Sequence, residues 1–248
     1  MDQVLLITGG SRGIGAATAL LAAQRGFAVA VNYASNSPAA EEVVRTLRER
    51  GGRAIAVQAD VGDEAQVKAM FDRVDAELGR LGALVNNAGV VDVQARVDGM
   101  SVQRLERMFR INVIGSFLCA REAVRRMSTR HGGSGGAIVN VSSAAARLGS
   151  PGQYVDYAAS KGAIDSFTIG LAKEVAEEGI RVNAVRPGLI DTEIHASGGM
   201  PDRAFQLAAG VPMKRTGTAQ EVAQGILWLL GEEASYVTGS FLDVTGGR

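Results

Sequence analysis

Short runs of aliphatic and β-branched residues alternate along the chain with longer segments whose apolar residues recur at helical spacing. Most of the short runs lack polar alternation, which is typical of strands buried on both faces of a parallel sheet. In the segment Asp63–Leu78, Val67, Met70, Phe71 and Val74 follow the helical pattern. The predicted strands are Val4–Thr8, Ala28–Tyr33, Ala54–Gln58, Ala83–Asn86, Ala137–Val141, Arg181–Val185 and Ser240–Asp243.

This alternation of strands and helices predicts an α/β fold with one doubly wound, mostly parallel sheet. We expect about seven strands, helices on both faces of the sheet, and a single domain across residues 1–248. Two stretches have no clear pattern. They are a glycine-rich segment at His131–Gly136 and a longer one from Pro187 to about Thr216.

Charge and cysteine content exclude several classes of protein. The 26 basic residues balance the 26 acidic ones, so no field favours nucleic acid or an anionic membrane. The single cysteine, Cys119, lies in an apolar helical stretch, and with two histidines present we expect no metal site. The N-terminus lacks a basic region, and no apolar run approaches the ~20 residues of a membrane span. We expect a cytoplasmic protein.

The first predicted strand leads directly into a glycine-rich turn. The sequence Thr8-Gly9-Gly10-Ser11-Arg12-Gly13-Ile14-Gly15 precedes an alanine-rich helix over Ala16–Gln24. Glycines in such a turn let the backbone approach a pyrophosphate, and the free N–H groups at the start of the helix bind the anion. The strand before the turn and the helix after it favour a dinucleotide site over a simple tight turn.

Further motifs follow in a characteristic order. They are Asp60-Val61, Asn86-Asn87-Ala88-Gly89, Asn112, Ser143, Tyr157-x-x-x-Lys161, and Pro187-Gly188 with Thr192 beyond. With the spacing Gly-x-x-x-Gly-x-Gly that starts at Gly9, this set resembles the short-chain dehydrogenase/reductase family over nearly the whole chain. The resemblance implies an oxidoreductase that moves a hydride between a nicotinamide cofactor and a carbonyl or alcohol.

Tyr157 and Lys161 are four residues apart and would share one face of a helix. A nearby ammonium favours the phenolate, so we expect Lys161 to lower the pKa of Tyr157 toward the working pH. The resemblance makes Tyr157 the general acid or base and lets Lys161 bind the nicotinamide ribose. The alternative is an ordinary amphipathic helix with an exposed lysine.

The resemblance also gives roles to Ser143 and Asn112. The family's serine hydrogen-bonds the substrate oxygen, but it usually stands thirteen residues before the tyrosine, where this chain has Ala144. We infer one inserted residue around Gln153–Asp156, which keeps Ser143 catalytic rather than Ser142. Asn112 in the family holds a water that links the lysine to solvent. A local kink or a surface amide is the other interpretation of Asn112.

For the cofactor, the resemblance places the adenine beside Asp60 and Val61, although Asp60 could instead cap the next helix. It places the ribose and nicotinamide near the small residues after the fourth strand. The expected cofactor contacts are Gly9, Ser11, Arg12, Gly13, Ile14, Gly15, Asn32, Tyr33, Ser35, Asp60, Val61, Asn87, Ala88, Gly89, Tyr157, Lys161, Pro187, Gly188, Ile190 and Thr192. Asn86 and Asn87 are also expected to hold strand ends together.

The end of the second strand favours NADP over NAD. Enzymes that use NAD place a carboxylate there on the ribose 2′-hydroxyl, whereas this chain has Tyr33 and no acid until Glu41. Arg12 in the glycine turn can supply a guanidinium to a 2′-phosphate, with hydrogen bonds from Asn32 and Ser35. The basic residue usual after the strand is replaced by Ala34.

The substrate is left open by the sequence. Its determinants are expected in Val90–Arg96, in Gln153–Asp156 and in a lid over Leu189–Arg215. A 3-oxoacyl thioester is one candidate, with Arg96 and Arg147 favouring an acyl-carrier partner unless they are solvated surface. A sugar or polyol is the alternative, and a regulator that binds NADP without turnover is the alternative outside catalysis.

A few other features have plain interpretations. Gly132–Gly136 matches the Gly-x-Ser-x-Gly pattern of hydrolases, but it lies between a helix and a strand rather than the reverse. His195 is expected to be a solvated loop residue. A stripe of small residues along the Tyr157 helix, at Ala159, Ala163, Ser166 and Gly170, predicts helix pairing in a homotetramer, with core packing as the alternative.

Overall fold

Seven parallel strands form one sheet in the structure, a computed structural model that describes residues 3–193, 198–200 and 202–248. Their order across the sheet is β3-β2-β1-β4-β5-β6-β7. The strands are β1 Val4–Ile7, β2 Ala28–Tyr33, β3 Ala54–Gln58, β4 Leu81–Asn86, β5 Gly136–Val141, β6 Ile180–Pro187 and β7 Phe241–Val244. The predicted doubly wound α/β fold is therefore confirmed.

The chain reverses its direction of winding at β1. Strands β2 and β3 lie to one side of it and β4 to β7 to the other, so the loops after β1 and β4 diverge and leave a crevice between them. Residues at the carboxyl ends of these two strands pair directly, for example Ile7 with Val85. The glycine turn and the Asn87-Ala88-Gly89 segment thus meet at this crevice.

Helices cover both faces of the sheet. They are α1 Gly13–Gln24, α2 Ser37–Glu49, α3 Glu64–Glu77, α4 Val102–Phe109, α5 Gly115–Met127, α6 Ala145–Leu148, α7 Val155–Val175, α8 Arg203–Leu207 and α9 Ala219–Leu230 in the described part of the chain. Apolar residues of α1, α2 and α9 pack against one face. Those of α3, α5 and α7 pack against the other, where Phe71 and Met70 are fully buried.

Local side-chain contacts set the ends of several elements. Asp63 begins α3 by accepting a 3.0 Å hydrogen bond from the backbone N–H of Gln66, as an N-cap residue does. Strand β6 extends beyond the predicted Arg181–Val185 by one residue at its start and two at its end. The polar side chain of Arg181 within it is satisfied inside the protein. Arg181 donates to the carbonyl oxygens of Leu229, Leu230 and Gly231, which are the free acceptors at the end of α9.

The irregular segment after β6 is tied to the body of the protein at several points. Ile190 pairs with Gly217 in an isolated parallel bridge, and α8 lies between them in the chain. Gly217 also donates a 2.9 Å backbone hydrogen bond to Leu189. The predicted loop residue His195 lies outside the described residues.

Candidate active site

The glycine turn is locked to the end of β4. The Thr8 hydroxyl oxygen accepts 3.0 Å hydrogen bonds from the N–H groups of Asn87 and Ala88. The Asn87 amide in turn donates 2.9 Å hydrogen bonds to the carbonyl oxygens of Thr8 and Gly9. These contacts confirm that Asn87 holds strand ends together, and they fix the backbone of the turn.

This turn fits a dinucleotide phosphate. Gly9 has φ +61°, and a Cβ there would lie 3.0 Å from the Cα of Ala88. A Cβ on Gly15 would overlap the carbonyl oxygen of Gly9. Helix α1 begins at Gly13 without a side-chain cap, so its first N–H groups are free for an anion. Ser11 and Ile14, the other expected contacts of the turn, are half-buried beside it.

Asn32 has a different role from the expected hydrogen bond to the cofactor. Its side chain is buried, and its amide donates to the carbonyl oxygens of Val57 and Ala59 at 3.2 and 3.0 Å. Its Oδ1 accepts a 3.1 Å hydrogen bond from the N–H of Gly9. Because the amide is used inside the protein, Asn32 shapes the glycine turn rather than offering a free group to a phosphate.

The neighbouring residues at the end of β2 differ in exposure. Tyr33 is buried and its hydroxyl donates to the Ser37 hydroxyl oxygen at 3.2 Å. Ala34 and Ser35 are exposed, and so is Arg12 in the glycine turn.

Asp60 does not cap a helix, since Asp63 does so. Its carboxylate accepts a 2.9 Å hydrogen bond from the N–H of Gly62 and a 2.8 Å hydrogen bond from Arg110. Val61 packs closely against Gly115, where a Cβ would lie 2.7 Å from a methyl group of Val61. The pair therefore stands in a fixed position just beyond β3.

The expected catalytic residues meet at the carboxyl ends of β4 and β5. Tyr157 and Lys161 lie on α7, with the Lys161 Nζ 5.7 Å from the centre of the Tyr157 ring. Ser143, which follows β5, interacts with the Tyr157 side chain, and both residues line one cavity. Lys161 donates a 2.7 Å hydrogen bond to the Val141 carbonyl oxygen. The tyrosine helix is thus anchored to the end of a central strand.

Burial dominates the electrostatics of this pair. It raises the pKa of Tyr157 above the usual value of 10, and the hydrogen bond with Ser143 offsets part of that rise. It lowers the pKa of Lys161 from 10.5 to about 8, against the opposing effect of the Asp165 carboxylate. The expected lowering of the tyrosine pKa by the lysine is therefore not found in the protein alone, where the phenol stays protonated at neutral pH.

The two adjacent serines have different partners. Ser142 donates a 2.6 Å hydrogen bond to Asp165 on α7 and a 3.3 Å hydrogen bond to the Lys161 carbonyl oxygen. Ser143 accepts a 3.1 Å hydrogen bond from the Ala145 N–H, which leaves its own proton for Tyr157 or a substrate oxygen. The side chain beside the tyrosine is therefore that of Ser143.

The fourteen-residue separation of Ser143 and Tyr157 includes an unusual turn. Gly149, Ser150 and Gly152 have φ values of +73°, +46° and +70°, in the left-handed region. The carbonyl oxygen of Ser150 then accepts hydrogen bonds from the N–H groups of Gln153 and Tyr154. The irregular backbone thus precedes the place where we expected the insertion, since α7 is already regular at Val155.

Asn112 is buried, so the surface interpretation of this residue is wrong. It lies in a π-helical turn, Arg110–Ile114, between α4 and α5. Its amide oxygen accepts from the Val90 N–H at 2.8 Å, and its nitrogen donates to the Val90 carbonyl oxygen and to Ser160 at 3.0 and 3.1 Å. A π-helical turn is common at functional sites, and here it presents the amide to the backbone beside Gly89.

Gly89 separates Asn112 from Lys161. A Cβ on Gly89 would lie 3.5 Å from the Asn112 Oδ1 and 3.6 Å from the Lys161 Nζ. The gap between amide and ammonium is therefore open on the side of Gly89.

A cavity of about 170 Å³ lies in front of Tyr157. Most of the residues that line this cavity are apolar. They include Ile14, Val91, Val141, Ala144, Ala145, Leu148, Tyr154, Leu189 and Ile190, with Asn87, Ser143, Ser150, Lys161, Thr192 and Arg248 as polar members. The expected contacts Pro187 and Gly188 also line the cavity. A Cβ on Gly13 would lie 3.4 Å from the side chain of Thr192.

Two site residues were missed by sequence reasoning. Asp165 contacts both Ser142 and Arg186 and acts on the pKa of Lys161. Its position one helical turn after Lys161 was an available signal. Arg104 forms a buried pair with Asp156, fifty-two residues away, and no sequence spacing indicates it.

Other predicted features have ordinary surroundings. Cys119 is buried, which raises its thiol pKa to about 12. Gly136 begins β5, so the hydrolase-like glycine segment precedes a strand, as expected. Arg96 and Arg147, the candidate basic residues at the entrance, are paired with Asp98 and Asp243.

Helices of the described chain are all too short or too polar to cross a bilayer.

Fold and site together define a class of protein, the oxidoreductases that bind a nicotinamide dinucleotide in a single Rossmann-type sheet. The sequence model of a family described as enoyl-(acyl carrier protein) reductase matches residues 9–248. The chain belongs to the short-chain dehydrogenase/reductase family.

Known relatives match along their whole length. An uncharacterized oxidoreductase, YgfF, of Escherichia coli (strain K12) is 59% identical, covering 99% of each chain. The cis-4-hydroxycyclohexanecarboxylate dehydrogenase of Sinomonas cyclohexanicum is 41% identical over 99% of this chain and 96% of its own. Glucose 1-dehydrogenase 2 of Bacillus subtilis (strain 168) is 38% identical, covering 99% and 94%. A solved structure of a Serratia marcescens short-chain dehydrogenase/reductase mutant has a TM-score of 0.90 at 35% identity, covering 99% and 97%.

Proposed function

We propose that this protein is an NADP(H)-dependent oxidoreductase that interconverts a carbonyl and a secondary alcohol by hydride transfer. The observation that carries the proposal is that Tyr157 and Ser143 lie together on the wall of one cavity, which Lys161 also lines, beside the glycine turn. A protonated phenol next to a serine hydroxyl is the arrangement that a carbonyl oxygen needs in order to accept a proton. The nicotinamide, when bound, supplies or accepts the hydride.

The side chains of the site have separate roles in binding the substrate oxygen and in moving its proton. In reduction, Ser143 and Tyr157 donate hydrogen bonds to the carbonyl oxygen, and Tyr157 gives its proton as negative charge develops there. Lys161 stabilises the resulting phenolate through its positive charge. In oxidation the same tyrosine accepts the alcohol proton. Asn112 holds the backbone at Val90 and borders the gap at Gly89, where a water linking Lys161 to solvent would bind.

Cofactor placement follows from the glycine turn. Gly9, Gly13 and Gly15 let the pyrophosphate approach, and the uncapped start of α1 stabilises its charge. Ala88, Gly89 and the segment from Pro187 to Thr192 border the ribose and nicotinamide end of the cavity. Asp60 and Val61 lie at the adenine end.

The choice of NADP rests on charge at the end of β2. Tyr33 stands where NAD enzymes carry an acid, and its hydroxyl is held by Ser37. Arg12 is exposed, and within the described part of the chain no hydrogen bond from its side chain is found. Its guanidinium is therefore available to a 2′-phosphate, with Ser35 exposed nearby in the next loop.

The apolar wall of the cavity favours a substrate whose carbonyl is flanked by hydrocarbon. Val91, Ala144, Leu148 and Leu189 offer no hydrogen bonds from their side chains to a polyol. A 3-oxoacyl thioester fits this wall, and the matching family description names the acyl carrier protein. The relative that acts on hydroxycyclohexanecarboxylate makes a cyclic alcohol the second candidate.

Two further observations bear on the identity of the substrate. Arg96 and Arg147 are each paired with an acid, so free basic residues for an acidic carrier protein are not found at these positions. A sugar or polyol keeps support from the glucose dehydrogenase relative, although the apolar wall disfavours it. A small-molecule thioester is therefore preferred to a carrier-bound one.

Assembly into a homotetramer is part of the proposal. The small-residue stripe on α7 faces outward, and a Cβ on Gly170 would meet nothing within 4 Å, which removes core packing as its explanation. Next to it, Phe117 of α5 stacks on Phe167 with 3.8 Å between ring centres while staying half-exposed. On the opposite edge β7 is partly exposed, and so is Trp228. Two apolar surfaces of this kind suit two different two-fold contacts.

A panel of carbonyl compounds tests the proposed function. The purified protein is mixed with NADPH and with short 3-oxoacyl thioesters, cyclic ketones and sugars, and cofactor oxidation is followed. We expect turnover with the first two groups and at least tenfold lower kcat/KM with sugars. Tight NADPH binding without turnover across the panel would contradict the proposed enzyme activity and support a nucleotide-sensing regulator instead.

A further inference from the structure

A buried ion pair joins helix α4 to the residue that precedes Tyr157. The Nε of Arg104 donates to the Asp156 carboxylate at 2.7 Å, and its Nη2 donates to the other oxygen at 3.2 Å. The Asp156 side chain is 0% exposed and that of Arg104 is 8% exposed. A two-point pair of this kind fixes orientation as well as distance.

The same guanidinium holds the loop in front of the cavity. Its Nη1 donates a 2.6 Å hydrogen bond to the carbonyl oxygen of Val93. Two residues further along the loop, the Ala95 N–H donates to the Gln153 carbonyl oxygen at 3.0 Å. The loop 90–96 is therefore tied to the start of α7 at two points, one of which passes through Arg104.

This loop forms part of the substrate cavity and of its entrance. Val91 lines the cavity together with Tyr154. A Cβ on Gly198 would lie 3.2 Å from the Tyr154 hydroxyl and 3.3 Å from a Val91 methyl group, so the segment after β6 packs on the same surface. A shift of the loop would therefore change the shape of the cavity without touching the glycine turn.

We infer that Arg104 is a positioning residue, which sets the geometry of the substrate loop relative to Tyr157 by binding Val93 and Asp156 at once. This role rests on the proposed function, because it assumes that Tyr157 reacts in that cavity. It predicts that changes at Arg104 act on substrate binding and on the chemical step while cofactor binding stays unchanged.

A conservative variant tests whether a planar guanidinium is needed to bind Asp156 and Val93 at the same time. Arg104→Lys keeps a positive charge for Asp156 but cannot donate to Asp156 and Val93 in the same planar geometry. We expect KM for the carbonyl substrate to rise about tenfold, the effect of losing one charge-assisted hydrogen bond, with the Kd of NADPH unchanged. The matched control is Arg107→Lys, one turn along α4, whose exposed pair with Asp92 is 3.7 Å long.

A second variant guards against loss of folding. Removing one partner of a buried pair leaves an uncompensated charge, whereas replacing both by apolar residues often preserves stability. Arg104→Met with Asp156→Leu is therefore expected to melt near the wild-type temperature yet keep the raised KM and a lowered kcat. Wild-type kinetics in the folded double variant would overturn the inference, and so would an equal loss of NADPH affinity.

Hydrogen exchange gives a readout that does not depend on turnover. In Arg104→Lys, we expect faster exchange at the Ala95 N–H and its neighbours in residues 90–96, and unchanged exchange in the glycine turn. Arg107→Lys should leave both segments as in the wild type. A protein that reduced no carbonyl would contradict the proposed function. The same local exchange pattern in that protein would still show that Arg104 holds the loop 90–96. Uniform exchange changes across the chain would reject the positioning role itself.

Discussion

The hydroxyl of Ser142 donates a 2.6 Å hydrogen bond to the Asp165 carboxylate, on the helix that carries Tyr157 and Lys161. This contact engages the first of two adjacent serines inside the protein. The second, Ser143, accepts a hydrogen bond from the Ala145 N–H and lines the cavity together with Tyr157. One hydrogen bond thereby distinguishes two residues that the sequence places side by side.

The two serines should therefore respond differently to removal of the hydroxyl. Ser143→Ala removes a donor to the developing oxyanion, so we expect kcat/KM to fall by about 10²- to 10³-fold. Ser142→Ala should keep kcat/KM within about tenfold of wild type, since it loses only the contact with Asp165. Steady-state kinetics of both variants measure this, and a larger loss in Ser142→Ala would reverse the assignment.

Tyr157→Phe should lose the proton donor while keeping the cavity wall. We expect kcat to fall by about 10²- to 10⁴-fold, the usual contribution of general acid catalysis. The Kd of NADPH, measured by fluorescence titration, should change little. Tyr154→Phe is the control, because Tyr154 also lines the cavity but precedes α7, the helix that carries Tyr157 and Lys161. Equal activity of Tyr157→Phe and wild type would contradict the proposed chemistry.

The pH dependence of carbonyl reduction should follow Lys161. Its pKa of about 8 means that the stabilising positive charge is present below pH 8 and is lost above it. We therefore expect kcat/KM for reduction to be level below about pH 8 and to fall about tenfold per pH unit above it. A profile that is flat from pH 7 to pH 10 would contradict this assignment.

Asp165 gives a way to move that profile. Its carboxylate raises the lysine pKa, so Asp165→Asn should shift the fall in kcat/KM to lower pH. Asp243→Asn is the matched control, because Asp243 also pairs with Arg186, at 3.6 Å, but has no resolved effect on Lys161. A shift of the same size in both variants would point to Arg186 instead.

The choice of cofactor should depend on Arg12 and Tyr33. Arg12→Ala is expected to raise the Kd of NADP about tenfold or more and to leave the Kd of NAD nearly unchanged, because NAD lacks the 2′-phosphate. Tyr33→Asp should invert the preference by placing a carboxylate on the ribose. Arg25→Ala, at the far end of the same helix, is the control. A wild-type protein that prefers NAD would overturn the proposal.

Gly170 tests the proposed tetramer. Since a side chain there meets nothing within 4 Å in the protomer, Gly170→Arg should fold normally but prevent close approach of a second α7 helix. Sedimentation should show a change from tetramer to dimer. Glu41→Arg on helix α2 of the opposite face should stay tetrameric. A tetramer in both variants would place the contact elsewhere.

Much of this protein was determined by the sequence alone. The order of apolar runs predicts the seven-stranded sheet, because strands buried on both faces need continuous apolar residues and the helices between them need one apolar stripe. The glycine turn and the four-residue spacing of Tyr157 and Lys161 are local features. Their geometry follows from the strand, turn and helix in which they lie, so short segments suffice to predict them.

Only the tertiary structure shows which distant residues are in contact and how deeply each side chain is buried. Arg104 and Asp156 meet only because α4 packs against α7, and Asn32 is used by Gly9 only because β1 and β2 are neighbours. The pKa of Tyr157 was predicted in the wrong direction, since desolvation depends on everything that surrounds a side chain. The sequence predicted candidate residues for the chemistry, whereas the packing around them decides which groups each one contacts and in which direction its pKa shifts.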